Sequence, residues 1–382
     1  MKIIVAPDSF KDCLSAKEVS ASITKGIRQV YPEAIILEIP LSDGGEGLID
    51  ALLDGISGTV LTVPVLDPLG RTIRSEFGVL KDGKTAIIEL ARASGLELLK
   101  EKERNPLLTS TYGTGQLIKA ALDHGCEKII VGLGGSATND GGTGMLKALG
   151  ARFLDVRGEE VGDGGGQLEN LERIDLSNFD TRIGDCEVVV ACDVSNPLAG
   201  PNGASFIYGA QKGGDERSLE LLDNSLYKYG SVIRDQFNID VVNKEGAGAA
   251  GGTGAALLAF MNGKIVNGID LVLQMVSMEQ HLNNTDLVVT GEGKIDLQTL
   301  NGKTVVGVSK MAKKHQVPVI VLAGKVGDHM NAIFELGVTA VFPIVDGPIA
   351  LEEALKKAPQ LLERTARNIM NTIKEFKVKD RQ

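Results

Sequence analysis

Several short stretches of this 382-residue chain concentrate side chains that could do chemistry. Asp8-Ser9-Phe10-Lys11 sets an acid, a hydroxyl and an amine close together. Asp43-Gly44-Gly45-Glu46-Gly47 joins two carboxylates to bare glycine amides just before an apolar helical run, which favours an anion such as a carboxylate. Gly132-Leu133-Gly134-Gly135-Ser136-Ala137-Thr138-Asn139-Asp140-Gly141-Gly142 follows a strand and precedes a helix, the layout of a phosphate cradle. Asn139 and Asp140 there add oxygens that could hold Mg²⁺. Cys192-Asp193-Val194-Ser195-Asn196-Pro197 ends another apolar strand and places Asp193 well as a base or a metal ligand. In Gly246–Gly254, which includes Gly248 and Gly251, only residues without bulk occur; a nucleotide and a closely packed helix explain this equally well. Finally, Thr290-Gly291-Glu292-Gly293-Lys294-Ile295-Asp296 sets two carboxylates four apart. If that turn is helical, Glu292 and Asp296 share a face and could bind one cation.

Plainer explanations compete with each of these. Asp8, Ser9, Asp43 and Asp193 can simply cap turn amides. The Gly132–Gly142 loop has more glycines than a tight connection needs. Gly132-x-Gly134-x-x-Ala137, with Asp155 further on, also satisfies a dinucleotide fingerprint, but its Asn-Asp-Gly-Gly tail has no place in that motif. Gly302-Lys303-Thr304 resembles the end of a P-loop, yet Leu297 stands where the first glycine belongs, so that assignment fails.

The elements that must position these groups follow two rhythms. The chain opens as β-α-β-α: a strand at Ile3–Val5, a helix capped by the Ser15/Glu18 box, a strand over 34–39 and a helix from Leu48. From about residue 58, strand-like runs 59–65, 71–80 and 85–90 form a meander. The opening rhythm returns at Asp286, with strands at 287–289, 318–322 and 340–342 and helices at 305–314 and 351–376, the last interrupted at Pro359. This predicts a discontinuous parallel-sheet domain, 1–64 plus 285–382, with a mixed α/β domain, 65–284, inserted. In an open parallel sheet ligands sit beyond the carboxyl ends of the strands, and the turns after the first, second and third strands carry the densest chemistry.

Composition narrows the classes. Apolar residues are 43% and charged residues 24%, and no apolar run approaches the roughly 18 residues a membrane span needs. Lys+Arg 40 against Asp+Glu 50 gives a net charge of −10, which repels phosphate backbones and argues against nucleic acid as a partner. Four cysteines without a C-x-x-C pair and four scattered histidines argue against structural zinc and for a reducing cytoplasm. The first residues reach a turn at Pro7-Asp8 and lack the apolar core of a signal peptide. Gly is 47 of 382 and clustered, which points to close backbone approaches rather than disorder. Self-association into a homo-oligomer is left open, because pattern alone does not separate an exposed apolar face from core.

Glycine cradles, amines and loop carboxylates, without a His–Ser pair, fit Mg²⁺-dependent phosphoryl transfer, which needs charge neutralisation and positioning more than a covalent nucleophile. An inserted domain would create a cleft able to exclude water, a competing acceptor. Taken in order along the whole chain, Asp8–Lys11, Ser42–Gly47, Gly134–Gly142, Cys192–Pro197, Gly246–Gly252 and Thr290–Thr299 resemble the bacterial glycerate kinase type I family. Asp12, where a glycine is frequent in that family, is a minor departure.

The resemblance implies transfer of the γ-phosphoryl of ATP to D-glycerate, usually giving 2-phosphoglycerate. It also implies a flavodoxin-like or Rossmann-like domain interrupted by a restriction-enzyme-like one. On that basis Lys11, also a catalytic candidate, and the Gly44-Gly45 amides would receive the glycerate carboxylate, Asp43 or Glu46 would hydrogen-bond its hydroxyls, and Asp8 and Ser9 would help bind the substrate. Gly134, Gly135, Ser136, Thr138 and Asn139, with Gly248 and Gly251, would hold ATP. Asp193 would orient the attacking hydroxyl as base, and Glu292, Asp296 and Asp140 would serve Mg²⁺. Two other classes compete: a dinucleotide-dependent oxidoreductase of hydroxy acids and a catalytically silent two-domain binder. The absence of an export signal and the wealth of loop carboxylates count against the binder.

Overall fold

The computed structural model describes residues 1–297, 299–328 and 330–379. Gln298, part of the last family-like motif, lies outside them. The chain divides into two compact units, residues 1–43 with 50–56 and 269–382, and residues 44–49 with 57–268.

The first unit is built on a five-stranded, wholly parallel sheet. Its strands run in the order Ala340–Pro343, Val319–Val326, Leu287–Ile295, Lys2–Val5, Ile35–Glu38. From Lys2–Val5 the chain builds outward in both directions, so the topological switch point lies between that strand and Leu287–Ile295. Ile3, Val5, Leu287, Val289, Ile320 and Leu322 form one side of its core and are covered by the helices Ala16–Arg28 and Leu351–Lys379. The first helix starts where the local code says it should: Ser15 accepts from the Glu18 amide while Glu18 accepts from the Ser15 amide. The last helix corrects an expectation, because it runs through Pro359 without a break. Its buried stripe of Leu361, Leu362, Ala366, Ile369 and Met370 packs into the core beyond the proline, which compensates the lost amide bond.

The second unit carries a six-stranded mixed sheet in the order Lys264–Val266, Glu187–Ala191, Lys128–Gly132, Thr85–Glu89, Thr72–Leu80, Gly58–Leu66. The first four strands are parallel; the last two form the meander expected from their turns. Strand Gly58–Leu66 pairs along its whole length with Thr72–Leu80, so it belongs to this sheet and not to the opening unit. At the other boundary, helix Gly268–Met275 and the turn after it fall with the first unit, some fifteen residues before the point the sequence suggested, apart from Gly268 itself.

Candidate active site

In the five-stranded unit, the turns after three strands converge as their positions promised. Strand Lys2–Val5 delivers Asp8, and Phe10, buried in the core, anchors the loop that follows. Asp8 is held from three sides. Its amide donates to the Gly291 carbonyl at 2.9 Å, its carboxylate accepts from the Ser9 amide at 2.6 Å, and the Thr304 hydroxyl at the head of helix Thr304–Lys314 donates to its other oxygen. Glu292 stands on the neighbouring strand, buried, and accepts from the Thr299 hydroxyl at 2.6 Å. Asp8 and Glu292 thus flank the switch point.

Asp43 completes the cluster electrostatically. Burial first and the Asp43 charge second push the Asp8 carboxyl up to about 8, against the opposing bonds from Thr304 and Ser9. Burial likewise raises Glu292 to about 7, opposed by Thr299 and by Lys303 and reinforced by Asp43 and Asp296. Lys11 is exposed and Ser9 half-buried.

The Glu292–Asp296 spacing does not have the expected geometry. The backbone stays extended through Ile295, paired with strand Val319–Val326, so the two residues are not one helical turn apart. In extended chain, four residues span about 13 Å. Asp296 sits just past the strand and forms an ion pair with Lys294 at 2.7 Å.

In the six-stranded unit, the four parallel strands end at one edge and deliver Glu89, the Gly-rich loop, Asp193 and Gly268 there. Asp193 is half-buried and accepts from the Gly268 amide at 2.7 Å. Gly44 and Gly45 lie against this edge. A Cβ on Gly134 would come within 2.7 Å of the Gly45 Cα, and one on Gly44 within 2.7 Å of the Gly268 Cα. These glycines allow backbone to cross backbone ahead of the helix, which starts at Leu48 as expected. Its first turn is capped by Glu89, buried, which accepts from the Ile49 amide at 2.8 Å and pairs with Arg92 at 3.2 Å. Glu46 is exposed.

The Gly132–Gly142 loop has two parts. Its inner part is braced. Asp140 is fully buried, and its oxygens accept from the Thr111 amide and hydroxyl, both at 2.8 Å, and from the Gly142 and Gly144 amides at 3.1 and 3.2 Å. Burial raises its pKa against those four donors. The Asn139 amide donates to Ser205 at 2.9 Å, and the Thr109 hydroxyl donates to the Ala137 carbonyl at 2.8 Å. Gly251, at φ 67°, lies so close to the Thr138 carbonyl that any side chain would overlap it, and its own carbonyl accepts from the Gly141 amide at 2.9 Å. Gly248 meets the Pro197 carbonyl in the same way. The small-residue stretch is therefore packed against this unit's own backbone.

The outer part differs. Gly134 is half-buried and Gly135 exposed. Among the described residues, the amides of Gly134, Gly135 and Ser136 donate to no protein acceptor, which leaves this tip able to receive an anion. Beneath it lies a residue that belongs to none of the motifs. Lys212, only 2% exposed, donates to the Ser136 hydroxyl at 2.8 Å and the Thr138 carbonyl at 2.7 Å. Burial pulls its amine down to about 7, with Asp140 pulling the other way.

The dinucleotide alternative finds no support in this geometry. The strand after the loop helix, Arg152–Leu154, pairs antiparallel with Arg173–Asp175 in a separate ribbon, so no parallel βαβ unit exists there. Asp155 turns back on its own backbone, accepting from the Arg157 and Glu159 amides.

A parallel sheet with carboxylates at its switch point and a mixed sheet with an anion-receptive glycine tip define a phosphotransferase-like α/β protein. Comparison with known proteins makes this specific: a family model described as the glycerate kinase family matches residues 3–374, and the chain belongs to that family. It is 48% identical to a glycerate kinase of Bacillus subtilis strain 168 over 98% of both chains. It is 46% identical to the glycerate 2-kinase of Escherichia coli K12, again over 98% of both. A crystal structure from Salmonella typhimurium LT2, provisionally named glycerate kinase 2, matches 99% of both chains with a TM-score of 0.87 at 45% identity. No described helix is long and apolar enough to cross a membrane.

Proposed function

We propose that the protein is a cytoplasmic kinase that transfers the γ-phosphoryl group of ATP to the 2-hydroxyl of D-glycerate in a Mg²⁺-dependent reaction. One observation carries it: end-to-end similarity to a relative named as a glycerate 2-kinase. The site chemistry supports the same assignment. The Gly134–Ser136 amides suit phosphate oxygens, and Asp193, held by Gly268, is the residue assigned to accept the proton of the attacking hydroxyl. Lys11 is the candidate for the glycerate carboxylate, with Asp43 and Glu46 assigned to its hydroxyls.

The carboxylates fit a hard cation. Burial first, and the Asp43 charge after it, raise Asp8 and Glu292 toward neutrality, and added positive charge would favour their ionised forms. Among the described residues no three acidic, His or Cys side chains form a metal cage, which suits an ion that completes its shell with phosphates and water. Glu292 would hold it, without Asp296, which the extended strand carries away and which is paired with Lys294. Asp140, fully occupied by its four donors, is left out of that role. When bound, Mg²⁺ neutralises phosphate charge and helps align the transfer.

The test is an enolase-coupled assay with D-glycerate, ATP and Mg²⁺, run with and without phosphoglycerate mutase. Signal without the mutase is the expected result. Signal only with the mutase moves the attack to the 3-hydroxyl, and no ADP in either assay removes the assignment.

A further inference from the structure

A buried lysine with two acceptors from one short loop calls for an explanation, because an uncompensated ammonium in the interior is costly and a neutral side chain could satisfy the same two oxygens. Lys212 ends a short helical turn, Ala210–Lys212, which Gly213 closes in the left-handed conformation against the Arg104 backbone. Its two acceptors, the Ser136 hydroxyl and the Thr138 carbonyl, bracket Ala137. They adjoin the part of the loop whose amides have no protein acceptor among the described residues. From the other side, the tip is held by its pairing with Ser94–Leu96, where the Leu96 amide donates to Gly135 at 2.8 Å and the Ala137 amide to Ser94 at 2.9 Å. Among the described residues, Lys212 alone holds the Ser136 hydroxyl.

We propose that Lys212 is the positioning residue of the loop tip: by gripping Ser136 and the Thr138 carbonyl it fixes the Gly134–Ser136 amides in the arrangement that receives the phosphates of the phosphoryl donor. This rests on the kinase assignment above. The role explains why the group is a cation. An ammonium makes stronger bonds to both oxygens than a neutral donor would, and it adds positive potential behind amides that face an anion. Its value near neutrality accords with a charge kept at some cost in a buried place.

Lys212→Met tests this in the full-length enzyme. Loss of a charge-assisted bond is worth roughly 1.5–3 kcal/mol, so KM for ATP should rise about ten- to a hundredfold. KM for glycerate should stay within about twofold, a split that general loosening of the fold would not give. Hydrogen exchange of the Gly134–Ser136 amides in the ligand-free protein should accelerate. Unchanged exchange at the tip, or equal increases in KM for both substrates, overturns the proposal. If Lys212→Met does not fold, Ser136→Ala removes one of the two acceptors and should still raise KM for ATP several-fold; an unchanged KM for ATP there overturns it too. Should the wild-type enzyme consume no ATP, the kinase assignment falls, while the exchange comparison still decides whether Lys212 holds the tip.

Discussion

The two units treat their buried polar groups in opposite ways. In the six-stranded unit, Asp140 has four donors and Lys212 two acceptors, so charge is used to hold backbone. In the five-stranded unit, Asp8 and Glu292 are pushed toward neutral pH, first by burial and then by the Asp43 charge, against the bonds that oppose the shift. The contrast separates a braced cradle from a reservoir of negative charge. Satisfied carboxylates make a loop rigid, whereas crowded ones are poised to take up a proton or a cation.

Asp193 is the sharpest point at which that contrast can break. It belongs to the braced unit, where it accepts from the Gly268 amide, and it is the residue assigned to the attacking hydroxyl. Asp193→Asn should lower turnover by about 10²–10⁴-fold with KM for ATP nearly unchanged, the range for loss of a general base. Wild-type turnover in a steady-state assay would make the edge of the six-stranded sheet architecture alone.

Gly251 tests the bracing itself. Gly251→Ala would place a methyl group against the Thr138 carbonyl at a residue with φ 67°. Left-handed strain and overpacking together should destabilise the protein by about 3 kcal/mol in denaturant titrations. A change below about 1 kcal/mol would mean that the small-residue stretch has room to move and that its glycines answer to a ligand after all.

The crowded unit is probed by pH. Asp8 ionises near 8 when folded and near its ordinary 3.8 when unfolded, so between those values the folded state holds a proton that the unfolded chain has lost. Stability therefore falls as pH rises from about 4 to about 8. Asp8→Asn should flatten that fall and raise Tm at pH 8 relative to pH 5, leaving the smaller decline due to Glu292 up to about 7. Lys212 contributes with the opposite sign: the burial penalty on its ammonium is full below about 7 and is relieved toward 10.5. A wild-type melting profile flat from pH 5 to 8 and unaltered by Asp8→Asn would show that the carboxylates are not crowded in solution.

How much of this was legible in the sequence depended on how local the deciding interaction is. The Ser15/Glu18 box spans four residues, and the turns that carry Asp8, Asp43 and Glu292 follow strands whose apolar runs are plain. Their convergence followed from strand order in a parallel sheet. The Glu292–Asp296 spacing was misread because Gly291 and Gly293 look like turn punctuation. Only pairing with Leu322–Val326 keeps that segment extended. Glu89 caps a helix forty residues away and Lys212 reaches acceptors more than seventy residues away, so neither has a local signature. Gly44 and Gly45 were recognised as special, but the backbone crossing that requires them is a fact of three dimensions.

The smallest expected effect lies at Asp12, again in the five-stranded unit, where a turn can be tested apart from its charges. The Phe10 carbonyl accepts from both the Cys13 and Leu14 amides, and the turn places exposed Asp12 at φ 59°. That conformation is disfavoured for a side chain by about 1 kcal/mol, less for Asp than for most, whereas glycine adopts it freely but has more freedom to lose on folding. Asp12→Gly should therefore raise stability by about 0.5 kcal/mol and leave KM for both substrates unchanged. The preference for glycine here would then be a matter of backbone geometry. A measurable loss of stability would mean that the Asp12 carboxylate itself supports the turn, which would extend the carboxylate chemistry of this unit beyond Asp8, Asp43 and Glu292.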